Sequence, residues 1–79
     1  MPTKNKGANR MRMIDKTIES FPVSKTNKIS LGEIHGRMFE LFGKHTMMRS
    51  ALGHWVRRSE KIRYQRDGLH GTFYYYRVR

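Results

Sequence analysis

The chain contains no cysteine and no long apolar segment. Without cysteine, disulfide bonds and thiolate metal sites are excluded. No apolar run approaches the roughly 20 residues that cross a membrane, or the shorter apolar core of a secretory signal peptide. These absences fit a reducing compartment, and we expect a cytoplasmic protein, located in the cytoplasm or nucleoid of its host cell.

Acidic residues are scarce and unevenly distributed. The 79 residues include 17 Lys and Arg but only 6 Asp and Glu, which gives a net charge of +11. Residues 13–43 carry four bases and four acids, whereas residues 44–79 carry nine bases and two acids. Residues 1–12 add four bases and no acid. A basic excess concentrated in parts of the chain favours a polyanionic partner.

Patterns typical of catalytic and metal-binding sites are also missing. No paired-carboxylate or Ser–His–Asp arrangement is evident, and the chain has no glycine-rich phosphate loop. The histidines lack the spacing of metal ligands. We therefore expect no enzymatic activity, no metal and no cofactor. The four histidines are His35, His45, His54 and His70.

The first part of the chain predicts a basic arm followed by a helix. Residues 1–8 are polar and basic, without apolar periodicity, and we expect a flexible arm. Asn9 is a suitable N-cap for a helix over residues 10–20, and Pro22 stops it. Its apolar stripe consists of Met11, Ile14, Ile18 and Phe21.

A loop over residues 22–28 leads to a second helix. Residues 28–30 predict a very short extended piece, and Ser30 with Glu33 has the spacing of a capping box. Gly43 ends the helix because it accepts a left-handed conformation. The predicted apolar stripe is Leu31, Ile34, Met38, Leu41 and Phe42.

Residues 44 and 45 predict a tight connection to a third helix over residues 47–59. Thr46 is its expected N-cap. The glycine within it, Gly53, fits either a close approach to DNA or close packing against another helix. The expected apolar positions are Met48, Ala51, Leu52, Trp55 and Val56.

From residue 62 the apolar pattern changes to a period of two, which predicts a β-hairpin. Residues 67–71 form its turn, and residues 72–78 are rich in aromatic side chains that favour a strand. We expect Tyr74, Tyr76 and Val78 to face the core. Phe73 and Tyr75 are then half-exposed, against the third helix or in an interface. Stacking of the tyrosines on single-stranded nucleic acid is the alternative.

This order of elements resembles the winged helix-turn-helix superfamily over residues 9–79. Two helices joined by a short turn form the helix-turn-helix, and the hairpin is the wing. Residues 71–78 are similar to the returning wing strand of arsenic-repressor-type regulators. Residues 55–58, followed by a basic hairpin, are similar to phage excisionases. The resemblance implies an α+β fold, a three-helix winged helix-turn-helix with a C-terminal β-hairpin wing.

In that superfamily the third helix lies in the major groove and the wing contacts the flanking backbone or the minor groove. The resemblance implies that Arg49 reads guanine, whereas Arg57, Arg58, Lys61 and Arg63 hold phosphates. Two alternatives stay open for the basic arm: either Lys4, Lys6 and Arg10 reach a groove or the backbone, or the segment is a frayed terminus without a role. The implied DNA-binding residues are Thr46, Met47, Arg49, Ser50, His54, Arg57, Arg58, Lys61, Arg63, Arg66 and His70.

We expect sequence-specific binding to double-stranded DNA and regulation of transcription by operator occupancy, most simply as a repressor. The source would be a bacterium, an archaeon, or one of their viruses or plasmids. Alternatives are an excisionase-like architectural DNA binder, an RNA-binding module, or an adaptor that binds polymerase or another host factor. The adaptor would use an exposed patch of Met11, Met13, Met47 and Phe73. Homodimerisation stays open.

Overall fold

Three helices and a two-stranded hairpin make up the described part of the chain. The computed structural model describes residues 6–66 and 73–79. Residues 1–5 of the expected arm and the expected turn at 67–71 lie outside that part. The helices are α1 (Lys6–Glu19), α2 (Leu31–Phe42) and α3 (Arg49–Val56), a 3₁₀ turn covers Gly43–His45, and the strands are β1 (Ile62–Arg66) and β2 (Phe73–Arg77).

The α+β class and the C-terminal hairpin wing are confirmed. β1 and β2 pair antiparallel, from Ile62 opposite Arg77 to Arg66 opposite Phe73. The expected extended piece also forms, because Ile29 pairs with Tyr75 through two backbone hydrogen bonds of 2.7 and 2.8 Å. β2 therefore lies between β1 and this piece, which ties the wing to the loop before α2.

α1 begins earlier than the sequence pattern predicts. It starts at Lys6, so Asn9 lies inside the helix and is not its N-cap. Lys6, Ala8 and Arg10 are good helix formers, and this stretch contains no proline, so the helix extends across the less favourable Gly7. The end of the helix is as expected, because Glu19 is its last residue and Pro22 follows soon after.

The capping box of α2 is confirmed. The Ser30 hydroxyl accepts from the Glu33 N–H at 3.0 Å, and the Glu33 carboxylate accepts from the Ser30 N–H. Gly43 has a φ of 57°, as expected for the residue that ends this helix. Leu41 contradicts the predicted stripe, because it is 49% exposed. It lies in the last turn of α2, beside Lys16 and Glu19 of α1, beyond the core.

The core forms where α1, α2 and α3 meet the inner face of the hairpin. Ser59 and Thr17 are its buried polar residues, and the Thr17 hydroxyl donates to the Met13 carbonyl at 2.7 Å. The predicted stripe of α1 is confirmed by the burial of Ile14, Ile18 and Phe21. The buried apolar residues are Ile14, Ile18, Phe21, Ile29, Ile34, Met38, Leu52, Val56, Ile62 and Tyr75.

The predicted faces of β2 are wrong. Tyr75 is buried at 1% exposure, whereas Tyr74, Tyr76 and Val78 are only half-buried. The strand is paired so that Tyr75 lies opposite Tyr64, on the same face as Ile62. Because side chains alternate along a strand, this register moves Tyr74 and Tyr76 to the outer face.

Candidate nucleic-acid interface

The connection between α2 and α3 is longer than predicted. Thr46 is not the N-cap of α3, because its hydroxyl donates to the Gly43 carbonyl at 2.6 Å. Met48 precedes the first turn without any side-chain cap, and α3 runs only from Arg49 to Val56. Residues 44 and 45, which were expected to form a tight connection, belong to the 3₁₀ turn at Gly43–His45, and α3 begins only after three further residues.

Two methionines in this connection exchange their expected environments. Met48 is 75% exposed, although it was predicted to face the core. Met47 was predicted to contact DNA, but its side chain is half-buried and packs against the core. His35 fixes this segment to α2, since its Nε2 lies 3.1 Å from the Met47 carbonyl oxygen. Both differences follow from the later start of α3.

The outward face of α3 matches the prediction at three positions. Ser50, His54 and Arg57 are exposed, whereas Leu52 and Val56 are fully buried. At about 100° per residue, the exposed side chains share one side of the helix. This side is polar and basic, as a groove-facing helix requires.

Arg49 and Gly53 lie at the edge of α3 that faces α2. A Cβ at Gly32 would lie 3.6 Å from an Arg49 guanidinium nitrogen, so this side chain extends across the first turn of α2. A Cβ at Gly53 would lie 3.2 Å from the Leu31 side chain. This distance supports the packing alternative for Gly53.

An arginine cluster surrounds Phe73 at the junction of α3 and the hairpin. The guanidinium carbon of Arg57 lies 4.4 Å from the centre of the Phe73 ring, and that of Arg66 lies 4.9 Å from it. Arg49 lines the same cleft as Phe73. The two ends of α3 and the end of β1 thus each contribute one guanidinium group: those of Arg57 and Arg66 lie over the Phe73 ring, and that of Arg49 lines the adjoining cleft. We use "arginine cluster" for Arg49, Arg57 and Arg66.

Aromatic contacts hold the cluster in place. Arg57 also lies over Tyr64, at 5.4 Å from the ring centre, and Tyr64 meets Phe73 edge to face at 5.7 Å. A guanidinium stacked on an aromatic ring keeps its N–H groups, at the edge of its plane, free for a phosphate. The contact of Phe73 with the third-helix region was one of the two expected alternatives.

Trp55 organises a second basic region, on the side of α3 that faces α1. It is half-buried and packs against the core, as predicted. Arg58 and Arg10 lie over its ring at 4.7 and 5.4 Å. Arg58 also lies 3.4 Å from His54, between the guanidinium Nη2 and the imidazole Nε2.

The carboxylates of the described residues are all engaged with partners outside the arginine cluster. Asp15 accepts from the buried Ser59 hydroxyl, and Glu33 belongs to the capping box. The three others form ion pairs, which are Glu19 with Lys61, Glu40 with Arg37, and Glu60 with Arg79. Among the residues that the structure describes, no carboxylate lies within ion-pair distance of Arg49, Arg57, Arg58, Arg63 or Arg66.

The predicted site residues therefore fall into different environments. Lys61 is half-buried and pairs with Glu19 at 3.3 Å, which leaves it less available for a phosphate. Arg63 is exposed on the opposite face of the hairpin from Arg66. His70 lies outside the described residues. Thr46 and Met47 are engaged within the protein, as described above.

Sequence reasoning assigned no role to Arg77, which proves to have a structural one. Its Nη1 donates to the carbonyl oxygens of Glu19 at 3.0 Å and Phe21 at 2.7 Å, at the end of α1. Its Nε donates to the Arg79 carbonyl at 2.6 Å. The nearby ends of α1 and β2 are separated by more than 50 residues of sequence, so no local pattern could indicate this contact.

Within residues 6–66 and 73–79, no helix is long and apolar enough to cross a membrane. The same part of the chain contains no group of three or more His, Asp or Glu side chains that could hold a metal ion. Comparisons of the sequence and structure with protein-family models, with curated proteins and with solved structures find no match.

Proposed function

We propose that the protein is a winged helix-turn-helix DNA-binding protein that binds duplex DNA with α3 and the hairpin. The observation that carries this proposal is the arginine cluster, in which Arg57 and Arg66 lie over Phe73 and Arg49 lines the adjoining cleft. None of them has a carboxylate partner among the described residues. A concentration of unneutralised guanidinium groups favours binding of closely spaced phosphates.

The exposed side of α3 suits a groove of DNA. Ser50 and His54 offer hydrogen-bonding groups there, and Arg49 lies at the N-terminal end of the helix, which usually reaches the base edges. Arg57 and Arg66 lie at the junction with the wing, where contacts to flanking phosphates are expected. We therefore assign base reading to the start of α3 and positioning to the arginines nearer the wing.

The role of this binding is regulation of transcription by occupancy of an operator. An excisionase-like architectural role uses the same chemistry, and footprinting on a promoter and on an attachment site distinguishes the two. The adaptor alternative loses its expected contact patch, because Met11, Met13, Met47 and Phe73 all pack against the core.

Substitution of the arginine cluster tests the proposed interface. Arg57→Ala and Arg66→Ala should each weaken binding to duplex DNA and reduce the slope of log affinity against log salt by about 1. Arg12→Ala is the matched control, because Arg12 is an exposed arginine on α1. Fluorescence anisotropy with a labelled duplex measures all three. If Arg12→Ala lowers duplex affinity as much as the other two substitutions, the affinity depends on total charge and not on the arginine cluster.

Base reading needs a separate experiment. Selection from a random duplex pool yields the preferred site, and a palindrome would indicate a homodimer on DNA. Arg49→Ala should cost roughly 1–3 kcal/mol on the preferred site and little on random duplex. Arg57→Ala should weaken both alike. Equal effects of Arg49→Ala on both duplexes would remove Arg49 as a base reader.

A further inference from the structure

The hairpin has an outer face that the duplex-binding surface does not use. α3 and Arg57 lie against the inner face, which carries Ile62, Tyr64 and Phe73. The register places Arg63 opposite Tyr76 and Gln65 opposite Tyr74 on the other side of the sheet. Directly opposed residues of an antiparallel pair share a face. The outer face therefore holds two tyrosines beside two polar side chains.

Its two tyrosines are spaced for stacking. Tyr74 and Tyr76 are two residues apart on one strand, and neither is buried, whereas Tyr75 between them belongs to the core. Two residues of a strand span about 6.8 Å, which is twice the rise of about 3.4 Å between stacked bases. A flat base can therefore lie against either ring without displacing its neighbour.

The charges around these rings suit a nucleic-acid backbone. Lys28 comes from the extended piece before α2, and its Nζ lies 4.6 Å from the centre of the Tyr74 ring. Arg63 is exposed next to Tyr76 in the neighbouring strand. The described register places no acidic residue on this face, and Glu33, which lines the same cleft as Lys28 and Tyr74, is engaged in the capping box. Partly exposed aromatic rings beside basic side chains suit a single-strand binding surface.

We propose that the outer face of the hairpin binds single-stranded nucleic acid, with bases stacked on Tyr74 and Tyr76 and phosphates near Lys28 and Arg63. A duplex does not suit this face, because its bases are stacked within the helix and unavailable to the rings. The site adjoins the arginine cluster, because Tyr74 and Lys28 line the same cleft as Arg49 and Phe73. Tyr76 and Arg63 lie outside that cleft, and the proposal does not depend on the duplex-binding function. DNA and RNA share the chemistry that it recognises.

Proton NMR of the wild-type chain provides the first test. Oligothymidylate and oligouridylate are added separately at low salt, and the tyrosine ring signals are followed. The proposal predicts upfield shifts for Tyr74 and Tyr76 with at least one of these oligomers, and little change for the buried Tyr75. The response to the two oligomers shows whether DNA or RNA is preferred. Failure of both to bind, or shifts elsewhere with these two rings unaffected, would overturn the proposal.

Variants on the two faces of the hairpin provide the second test. Tyr76→Leu should lower affinity for the bound oligomer roughly 5- to 150-fold while leaving duplex affinity unchanged. Tyr76→Phe keeps the ring and should retain binding. Tyr64→Leu is the control, because Tyr64 is 46% exposed on the inner face. Two results would show that the outer face is not a single-strand site of its own. One is that Tyr64→Leu lowers oligomer affinity as much as Tyr76→Leu does. The other is that Tyr76→Leu lowers duplex affinity as much as it lowers oligomer affinity. If Tyr76→Leu does not fold, the wild-type NMR result decides.

Discussion

Arg77 provides the sharpest test of which arginines stabilise the fold and which are available to a ligand. Its guanidinium donates to the carbonyl oxygens of Glu19 and Phe21. Glu19 is the last residue of α1, and Phe21 follows it closely. A positive charge at a helix C-terminus is also favourable through the helix dipole. We predict that Arg77→Met lowers the free energy of unfolding, whereas Arg79→Met leaves it nearly unchanged.

The size of the effect follows from these contacts. A hydrogen bond to a charged group contributes roughly 1.5–3 kcal/mol when buried, and Arg77 is only half-buried. We therefore expect a total loss of about 2 kcal/mol from Arg77→Met. In a domain of this size, such a loss lowers the melting temperature by roughly 8–16 °C. Arg79 forms one exposed ion pair with Glu60, which contributes roughly 0–1 kcal/mol.

Thermal unfolding followed by circular dichroism measures both variants, and each removes one positive charge. Arg77→Lys separates charge from geometry. The guanidinium contacts the carbonyls of Glu19 and Phe21 through Nη1 and that of Arg79 through Nε, whereas lysine has a single nitrogen. We expect Arg77→Lys to retain less than half of the free energy of unfolding that Arg77→Met loses. Equal melting temperatures for Arg77→Met and Arg79→Met would refute the assignment of Arg77 as a structural residue.

Two further predictions concern the helices that carry the proposed interface, and both are measured by chemical unfolding. Leu52→Ala should cost roughly 2–5 kcal/mol because Leu52 is fully buried, whereas Ser50→Ala on the exposed side should change stability by less than about 0.5 kcal/mol; the reverse order would mean that α3 is rotated. Gly36→Ala should stabilise the protein by roughly 0.5–1 kcal/mol, because a Cβ there meets nothing within 4 Å. Gly53→Ala should stabilise the protein less than Gly36→Ala does, because the added Cβ would lie 3.2 Å from the Leu31 side chain. Equal stabilisation by the two substitutions would contradict the close packing of α2 on α3.

Local patterns predicted the parts of the fold that depend on neighbouring residues. The capping box of Ser30 and Glu33 forms because both partners lie within one helical turn, and Gly43 ends α2 because of its own backbone freedom. Ile14 and Ile18 are buried because helical periodicity brings them to one face. These features need no information about distant parts of the chain.

The faces of β2 could not be predicted in this way. Phe73 and the three tyrosines after it are all aromatic, so the strand lacks the alternation that distinguishes an inner face from an outer one. The choice is made by the pairing of Tyr75 with Ile29, which is 46 residues away in sequence. A shift of one residue then exchanges every side chain between the faces.

In the candidate site, too, features set by neighbouring residues were predictable and features set by distant contacts were not. Exposure of Arg49, Ser50, His54 and Arg57 was predictable from the amphipathic pattern of α3. The placement of Arg57 and Arg66 over Phe73, with Arg49 in the adjoining cleft, was not, because it depends on how the hairpin packs against the end of that helix. The start of α3 was also mispredicted, since the hydroxyl of Thr46 bonds back to Gly43 instead of capping the helix.

The salt dependence of duplex binding tests the central proposal most directly. Three or four unneutralised arginines that each contact one phosphate predict a slope of log affinity against log salt of roughly −2.7 to −3.6. Fluorescence anisotropy with a labelled duplex at a series of salt concentrations gives this slope for the wild-type chain. A slope in that range is the result that we expect. Binding that is insensitive to salt, or no binding to duplex even at low salt, would contradict the proposed function.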